Sequence, residues 1–226
     1  MPRRLTPAVR SGLSISLAVG LYGISFGALA VAAGFTVAQA SVLSLVMFTG
    51  GSQFAFVGVA AGGGSLGAAM TAASLLGLRN AVYGVQLSAM LRPRGWRRFL
   101  QAHLTIDESM ATASGQEDPA EERRGFWTAG VGVWVLWNLF TLVGASAGSA
   151  LGDPRAWGLD GAAVAAFLGL LWPRLRGRQP VAVAVVCALA TVLAVPFVPA
   201  GVPVMVAAVV AVALWAWGTR AKRGAA

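Results

Sequence analysis

The chain has 226 residues, of which 57% are hydrophobic and only 11% are charged, and its mean hydropathy is +0.73. Soluble domains carry about 25% charged residues, so this composition excludes a soluble globular protein and predicts a single membrane domain over residues 1–226. The net charge of +9 does not indicate nucleic-acid binding, because the basic residues cluster between apolar runs and no aromatic-interleaved basic groove is visible.

The apolar runs predict an all-α integral membrane protein with about seven membrane segments, since a span needs about 20 mostly apolar residues and lipid tolerates only helices or closed barrels. In chain order the segments are Leu13–Phe35, Ser41–Ala61, Leu66–Leu91, Phe126–Leu151, Leu159–Trp172, Pro180–Val198 and Val202–Gly218. The polar loop 92–124 is dense in arginine, so the positive-inside pattern predicts that it faces the cytoplasm.

The segment Ser41–Ala61 leaves the orientation of the chain open. If it spans, the N-terminus lies outside, with Arg3, Arg4 and Arg10 on the unfavoured side. If it is re-entrant, both termini lie inside and Arg155 is the one loop arginine outside. The sequence does not choose between these two arrangements.

Two stretches of small residues suggest an internal repeat. The first helix of one half of the chain contains Gly23/Gly27, and the first helix of the other half contains Gly144/Gly148. In each half, a shorter apolar segment follows this helix. The halves 13–91 and 126–218 are therefore candidates for an inverted repeat, which in transporters places the site at the repeat interface. The alternative is that glycine-rich membrane helices resemble each other by composition, and close helix packing is the default role of GxxxG pairs.

Arg79 is the only charged residue within Leu66–Leu91. A charge at the centre of a bilayer costs about 3 kcal/mol on insertion scales, so an intramembrane arginine marks a functional site by default. Its planar guanidinium suits a carboxylate, and Asn80 adds a second polar group beside it. The alternative is a structural ion pair with an acid of another helix or subunit.

The element Gly50-Gly51-Ser52-Gln53-Phe54 predicts a broken helix inside an apolar segment. A half-helix beginning near Ser52 would point its N–H groups at an anionic substrate group, with Ser52 and Gln53 as further donors. An ordinary kink bonded to neighbouring helices is an equally weighted alternative.

Two acidic residues are further candidates. Thr105 and Glu108 have the spacing of a capping box, which leaves Asp107 as a candidate gate or proton-linked carboxylate, with solvation at the cytoplasmic surface as an equally weighted alternative. Asp160 precedes a short apolar segment, where a helix cap is favoured over pairing with Arg79 or titration. Between these regions, Gly95–Leu104 has the pattern of a short helix lying at the membrane surface.

No enzyme or metal constellation is visible, and no cofactor is predicted. His103 is the only histidine, Cys187 the only cysteine and Lys222 the only lysine. A zinc site built from several His or Cys residues therefore lacks its ligands. An intramembrane Ser–Lys dyad lacks its lysine base.

From Leu13 to about Pro173, the ordered motifs of the chain resemble the AzlC family, the large subunit of a branched-chain amino-acid exporter. The motifs that carry the resemblance are Gly23-x-Ser25-Phe26-Gly27, the Gly50–Phe54 element, Leu78-Arg79 followed by Tyr83-Gly84, and Asp107-Glu108. The family usually has Asn two residues before the arginine and His directly after it, where this chain has Gly77 and Asn80.

The resemblance implies a non-enzymatic secondary exporter of branched-chain or similar apolar amino acids in the bacterial inner membrane. It also implies a small AzlD-type membrane partner subunit. The resulting substrate-site prediction comprises Arg79, Asn80, Gly50, Gly51, Ser52, Gln53, Ser25 and Phe26, with Asp107 and Asp160 as gating or coupling residues. The alternatives are a non-transporting assembly subunit and a permease subunit of an ATP-driven transporter.

Overall fold

The computed structural model describes residues 5–150, 168, 171–172, 175–198 and 202–224, which form helices and connecting turns without a strand. The helices are α1 (Pro7–Ala32), α2 (Val37–Val46), α3 (Gly50–Ala61), α4 (Leu66–Leu91), α5 (Arg97–His103), α6 (Asp107–Ser114), α7 (Pro119–Ala150), α8 (Arg178–Ala194) and α9 (Val202–Gly224). The all-α prediction is confirmed for these residues. The predicted segment Leu159–Trp172 and Asp160 lie almost wholly outside them.

Two of the described helices, α1 and α7, are long and apolar enough to cross a bilayer. Helix α4 has the length, with 26 residues and the predicted bounds, but Arg79, Asn80 and Gln86 make it less apolar. Outward apolar side chains on these helices stay exposed, among them Leu17 at 53%, Val82 at 68% and Val135 at 48%. Such an apolar exterior fits a membrane protein, while the number of seven spans remains a prediction.

Helices α1 and α7 pack side by side and run in the same direction. Ser16 Oγ lies 3.4 Å from the Ala129 carbonyl oxygen, Gly20 packs on Leu136, and Gly148 packs on Ala28. Residue numbers thus rise together along both helices. Small residues at these contacts let the two backbones approach closely, as expected for membrane helices.

The predicted segment Ser41–Ala61 comprises parts of two helices, which form a helical hairpin. Helix α2 descends from the C-terminal end of α1 to the level of Thr141, where Ser44 Oγ lies 3.4 Å from Thr141 Oγ1. The helical conformation is interrupted at residues 47–49. Helix α3 then runs back toward the end of the bundle where α2 begins, since the ring of Phe56 lies 6.0 Å from that of Phe35. The break expected within this segment is thus a reversal of the chain, which glycines and the buried Gln53 amide stabilise.

This hairpin agrees with the arrangement in which Ser41–Ala61 does not cross, while the side on which the N-terminus lies remains a prediction. Helix α4 starts where α3 ends and runs the length of the bundle back to α5 and α6, and α6 contacts the N-terminal part of α7. The start of α1, the end of α4 and the start of α7 therefore lie at one end. Arg10, Arg92, Arg94, Arg123 and Arg124 share that end, as the re-entrant arrangement requires.

The parallel course of α1 and α7 differs from the inverted repeat suggested by their GxxxG pairs. Helices related by an axis in the membrane plane run in opposite directions, whereas these two run together. Their glycines serve packing: a Cβ on Gly27 would overlap the Thr141 carbonyl oxygen, and one on Gly144 would overlap the Ile24 carbonyl oxygen. The repeat prediction for the halves as wholes stays untested.

Helices α8 and α9 pack mainly on each other. Cys187 Sγ lies 3.6 Å from the Ala207 carbonyl oxygen across the pair. No residue of α8 is buried, and Val192 and Leu193 are more than two-thirds exposed. This helical pair therefore presents apolar surface on several sides.

We expect Gly27→Ala to destabilise the protein by about 2 kcal/mol, because the added methyl group must push the α1 and α7 backbones apart. The measurement is thermal unfolding of purified protein in detergent. Gly67→Ala is the control, since a Cβ there meets only Ser65 Oγ at 3.9 Å. Equal melting of Gly27→Ala and wild type would contradict the close packing.

Candidate functional site

The helix break leaves the N-terminus of α3 without a side-chain cap. Thr49 holds the N-cap position in an extended conformation and makes no side-chain hydrogen bond to the helix. The first N–H groups of a helix lack intrahelical acceptors and carry partial positive charge. The break predicted near Ser52 is confirmed, with the half-helix beginning two residues earlier, at Gly50.

Gln53 fastens the break to the rest of the bundle. Its fully buried amide donates from Nε2 to the carbonyl oxygens of Met47 at 2.7 Å and Ser44 at 3.3 Å. Its Oε1 accepts a hydrogen bond from Trp137 Nε1 at 2.9 Å. The side chain satisfies the backbone at the end of α2 and ties α3 to α7, so its role is structural and not that of a free substrate donor.

The two glycines at the start of α3 make room for neighbours. A Cβ on Gly50 would meet the Trp137 ring at 3.3 Å, and a Cβ on Gly51 would meet Arg79 Nη2 at 2.9 Å. Any side chain at 51 would therefore force the guanidinium to move. The absence of that side chain lets Arg79 lie against the helix N-terminus.

Arg79 pairs with Asp107, which begins α6. Arg79 Nη1 lies 2.7 Å from Asp107 Oδ2, and the two side chains are 29% and 33% exposed. The alternative of an ion pair with another helix is thus realised within this chain. The pair is only partly buried, so it remains accessible from outside the bundle.

Several polar atoms around this pair are buried without a hydrogen-bond partner: Ser52 Oγ, Arg79 Nε, Asn80 Oδ1 and Asp107 Oδ1. Buried polar atoms are almost always hydrogen-bonded in proteins. Gly77 stands at the position where the resembled family usually has Asn. A Cβ on Gly77 would lie 3.5 Å from Ser52 Oγ, so the glycine leaves the Ser52 hydroxyl facing an empty position. Donors and acceptors therefore remain available for a polar ligand.

Glu108, next to Asp107, lies in the same region. Burial raises the pKa of the Glu108 carboxyl above its ordinary value, and the negative charge of Asp107 raises it further. A hydrogen bond from its own backbone N–H and the positive charge of Arg79 lower the pKa, but these effects are smaller in sum. The carboxyl thus binds a proton more readily than an exposed glutamate.

The capping box predicted from Thr105 and Glu108 was wrong. Helix α6 begins at Asp107, its N-cap is Ile106, and the Ile106 N–H donates to Ser109 Oγ at 3.0 Å. Thr105 Oγ1 instead donates to the Gln101 carbonyl oxygen at 2.7 Å. The chain turns one residue later than the spacing indicates, and this brings Asp107 toward Arg79.

The structure brings together most of the predicted site but not all of it. Gly51, Ser52, Arg79 and Asp107 lie around the break, and Asn80 follows Arg79 on α4. Phe26 is fully buried against Phe54 and Trp137, with ring centroids 5.5 and 6.1 Å away, and Ser25 is half-buried beside it on α1. Sequence reasoning missed Trp137, because an aromatic residue in an apolar helix gives no signal of its partner.

A comparison with known protein families gives one match. The family model described as AzlC protein matches residues 14–151, more than half of the chain. The chain belongs to the AzlC family. The AzlC match covers the helices from α1 to α7, apart from the first seven residues of α1, and includes the whole polar cluster around Arg79. No curated protein and no solved structure was found to match the chain.

Membership of the AzlC family suggests a role related to branched-chain amino-acid transport, and the family is associated with transport and not with enzymatic chemistry. Together with the apolar helices, it points to a membrane protein. Helices α8 and α9 lie beyond the matched residues.

Gln53→Leu should destabilise the protein by about 2 kcal/mol, because the Trp137 indole N–H and two carbonyl oxygens lose their buried partner. Thermal unfolding in detergent measures the loss. In the double variant Gln53→Leu/Trp137→Phe, the second change should cost less than Trp137→Phe alone, since the indole donor is already unpaired. Additive losses would show that the two side chains do not interact.

Glu108→Gln should become more stable than wild type as the pH rises. The raised folded-state pKa means that the bound proton stabilises the folded chain at low pH, and this contribution is lost as the pH rises through the folded pKa. Glutamine cannot ionise, so the difference in melting temperature between variant and wild type should grow from about pH 4 to pH 8. Exposed Glu117→Gln is the control, and a difference independent of pH for Glu108→Gln would contradict its burial.

Proposed function

We propose that this chain is the large subunit of a two-component secondary transporter that exports branched-chain or similar apolar amino acids. The observation that carries the proposal is a partly exposed Arg79–Asp107 pair beside the uncapped N-terminus of a broken helix. Membership of the AzlC family supports the same class of substrate.

The substrate carboxylate binds Arg79 and the start of α3. A guanidinium binds a carboxylate through two parallel hydrogen bonds, and Gly51 holds Nη2 close to the helix N-terminus. The N–H groups of that terminus and the unpartnered Ser52 hydroxyl add donors for the same carboxylate. Leu76, which lies against the Gly51 position, supplies part of the apolar wall for the aliphatic side chain.

Asp107 receives the substrate ammonium. A zwitterion inserted between Arg79 and Asp107 replaces one ion pair by two, so neither residue is left with an unpaired charge. Ion pairs this exposed contribute about 1 kcal/mol or less, and the pair can therefore separate at low cost. Molecules that lack either the carboxylate or the ammonium would leave one of the two residues unpaired.

The same acids provide a basis for coupling to protons. Glu108 takes up a proton more readily than an ordinary glutamate and lies beside Asp107. A proton on Glu108 removes negative charge beside the position of the ammonium, so proton binding and substrate binding oppose each other. Competition of this kind is the requirement for exchange of external protons against internal amino acid.

The arginine-rich end of the bundle faces the cytoplasm in this proposal, following the positive-inside pattern. The re-entrant hairpin then enters from the outer side of the bacterial inner membrane, and its tip approaches Arg79. A small AzlD-type subunit covers apolar surface of the α8–α9 pair, where no residue of α8 is buried by the chain itself.

The test is counterflow of leucine, isoleucine and valine in ATP-free liposomes that hold this chain with its small partner. Arg79→Gln should reduce flux at least about tenfold, because it removes the charge that binds the carboxylate, and Arg79→Lys should restore little, since lysine lacks the planar fork. Exposed Arg97→Gln should transport like wild type. N-acetyl-leucine and leucinamide should not exchange.

Full flux in Arg79→Gln, at equal protein levels, would refute the site. A second candidate function is a non-transporting assembly subunit, which the intrachain Arg79–Asp107 pair favours because such a pair also serves folding alone. In that case wild-type liposomes show no flux, and the swap Arg79→Asp/Asp107→Arg recovers the stability that either single change loses. Flux that requires ATP would indicate an ATP-driven permease.

A further inference from the structure

A second polar region lies where α4 ends and α5 begins, and its lining reaches back to Ala81, two residues after Arg79, and to Thr105, two residues before Asp107. It encloses a cavity of about 810 Å³ between the last turns of α4 and the length of α5. Three arginines line it, namely Arg92, Arg94 and Arg98. Among its described lining residues none is acidic.

Local geometry shapes this cavity. Arg92 ends α4 with φ 46°, and it is the one described non-glycine residue in the left-handed region. Left-handed backbone is unfavourable for a residue with a side chain, and Pro93 stops the helix at this point. Arg98 Nε donates to the Pro93 carbonyl oxygen at 3.2 Å, which fixes the reversal and turns α5 back along α4.

The floor of the cavity is formed by small residues of α4. Ala81, Gly84 and Ser88 line it, and a Cβ on Gly84 would meet nothing within 4 Å. The space is thus real room beside the helix and not a gap that a slight repacking would close. Within the described part of the chain, the three arginines make no ion pair, so their charge is uncompensated.

Exposed apolar side chains surround the charged cavity. Trp96 is 67% and Phe99 80% exposed on the same connection, and Val82 and Val85 are 68% and 75% exposed on the adjoining turns of α4. A helix with arginines on one side and aromatic residues on the other lies at the membrane interface. The ligand that satisfies both features is a phosphate with hydrocarbon tails.

We propose that this cavity binds the headgroup of an anionic phospholipid, with its acyl chains along the exposed apolar face of α4. The arginines bind the phosphodiester oxygens, and basic pockets beside membrane helices are suited to such headgroups. A zwitterionic lipid is disfavoured because its own cation meets three guanidinium groups. A soluble phosphate would use the arginines but leave the aromatic and valine side chains unexplained.

The experiment is native mass spectrometry of the full chain in detergent, titrated with phosphatidylglycerol or phosphatidylcholine. Wild type should retain one phosphatidylglycerol at concentrations where phosphatidylcholine is lost. Arg94→Gln/Arg98→Gln should bind it at least about tenfold more weakly. Arg10→Gln/Arg123→Gln removes the same charge at the same end of the bundle but outside the cavity, and should bind like wild type.

Gly84→Leu tests the cavity without changing charge. It should fill the floor and weaken phosphatidylglycerol retention, while circular dichroism and gel filtration match wild type, because the added side chain meets open space. Equal retention of the two lipids, or equal loss in both double-arginine variants, would overturn the proposal. Displacement of the lipid by millimolar inorganic phosphate would overturn it in favour of a soluble anion.

Discussion

The architecture of the site depends on the buried amide of Gln53. A chain that reverses inside an apolar bundle leaves carbonyl oxygens without partners, and each such group costs free energy. Gln53 pairs with two of these carbonyls and with the Trp137 indole at once. This fixes where α3 begins, and the position of Gly51 in turn fixes how closely Arg79 approaches the helix N-terminus.

The sequence predicted the helices better than their connections. The bounds Leu66–Leu91 and the break near Ser52 follow from local composition, because charge spacing and paired glycines act over a few residues. The direction of α3 after the break does not, since it depends on contacts such as Phe35 with Phe56 that no periodicity encodes. The parallel course of α1 and α7 likewise follows from packing and contradicts the orientation that repeated GxxxG pairs suggested.

The site residues, like the helices, were predictable from the sequence only where the signal was local. Arg79 stands out in sequence because its charge is isolated, but its partner Asp107 lies beyond an arginine-rich connection and belongs to a different helix. The resemblance singled out Gly77 and Asn80 as departures from the family pattern, and the structure gives them a physical meaning. Gly77 leaves the Ser52 hydroxyl facing an open position, and Asn80 carries a buried oxygen without a partner. The polar cluster therefore holds more unused hydrogen-bonding capacity than its charge alone indicates.

The half-length helices of the hairpin determine where a membrane potential would act if the hairpin enters a bilayer. Helix α3 has 12 residues, which span about 18 Å, or little more than half of the hydrocarbon thickness. If water followed the hairpin to its tip in a bilayer, about 12 Å of the hydrocarbon layer would remain, and most of the membrane potential would fall across that remainder. A unit charge that moves past Arg79 would then couple to nearly the whole potential, worth about 2.3 kcal/mol per 100 mV, although the distance it travels is short.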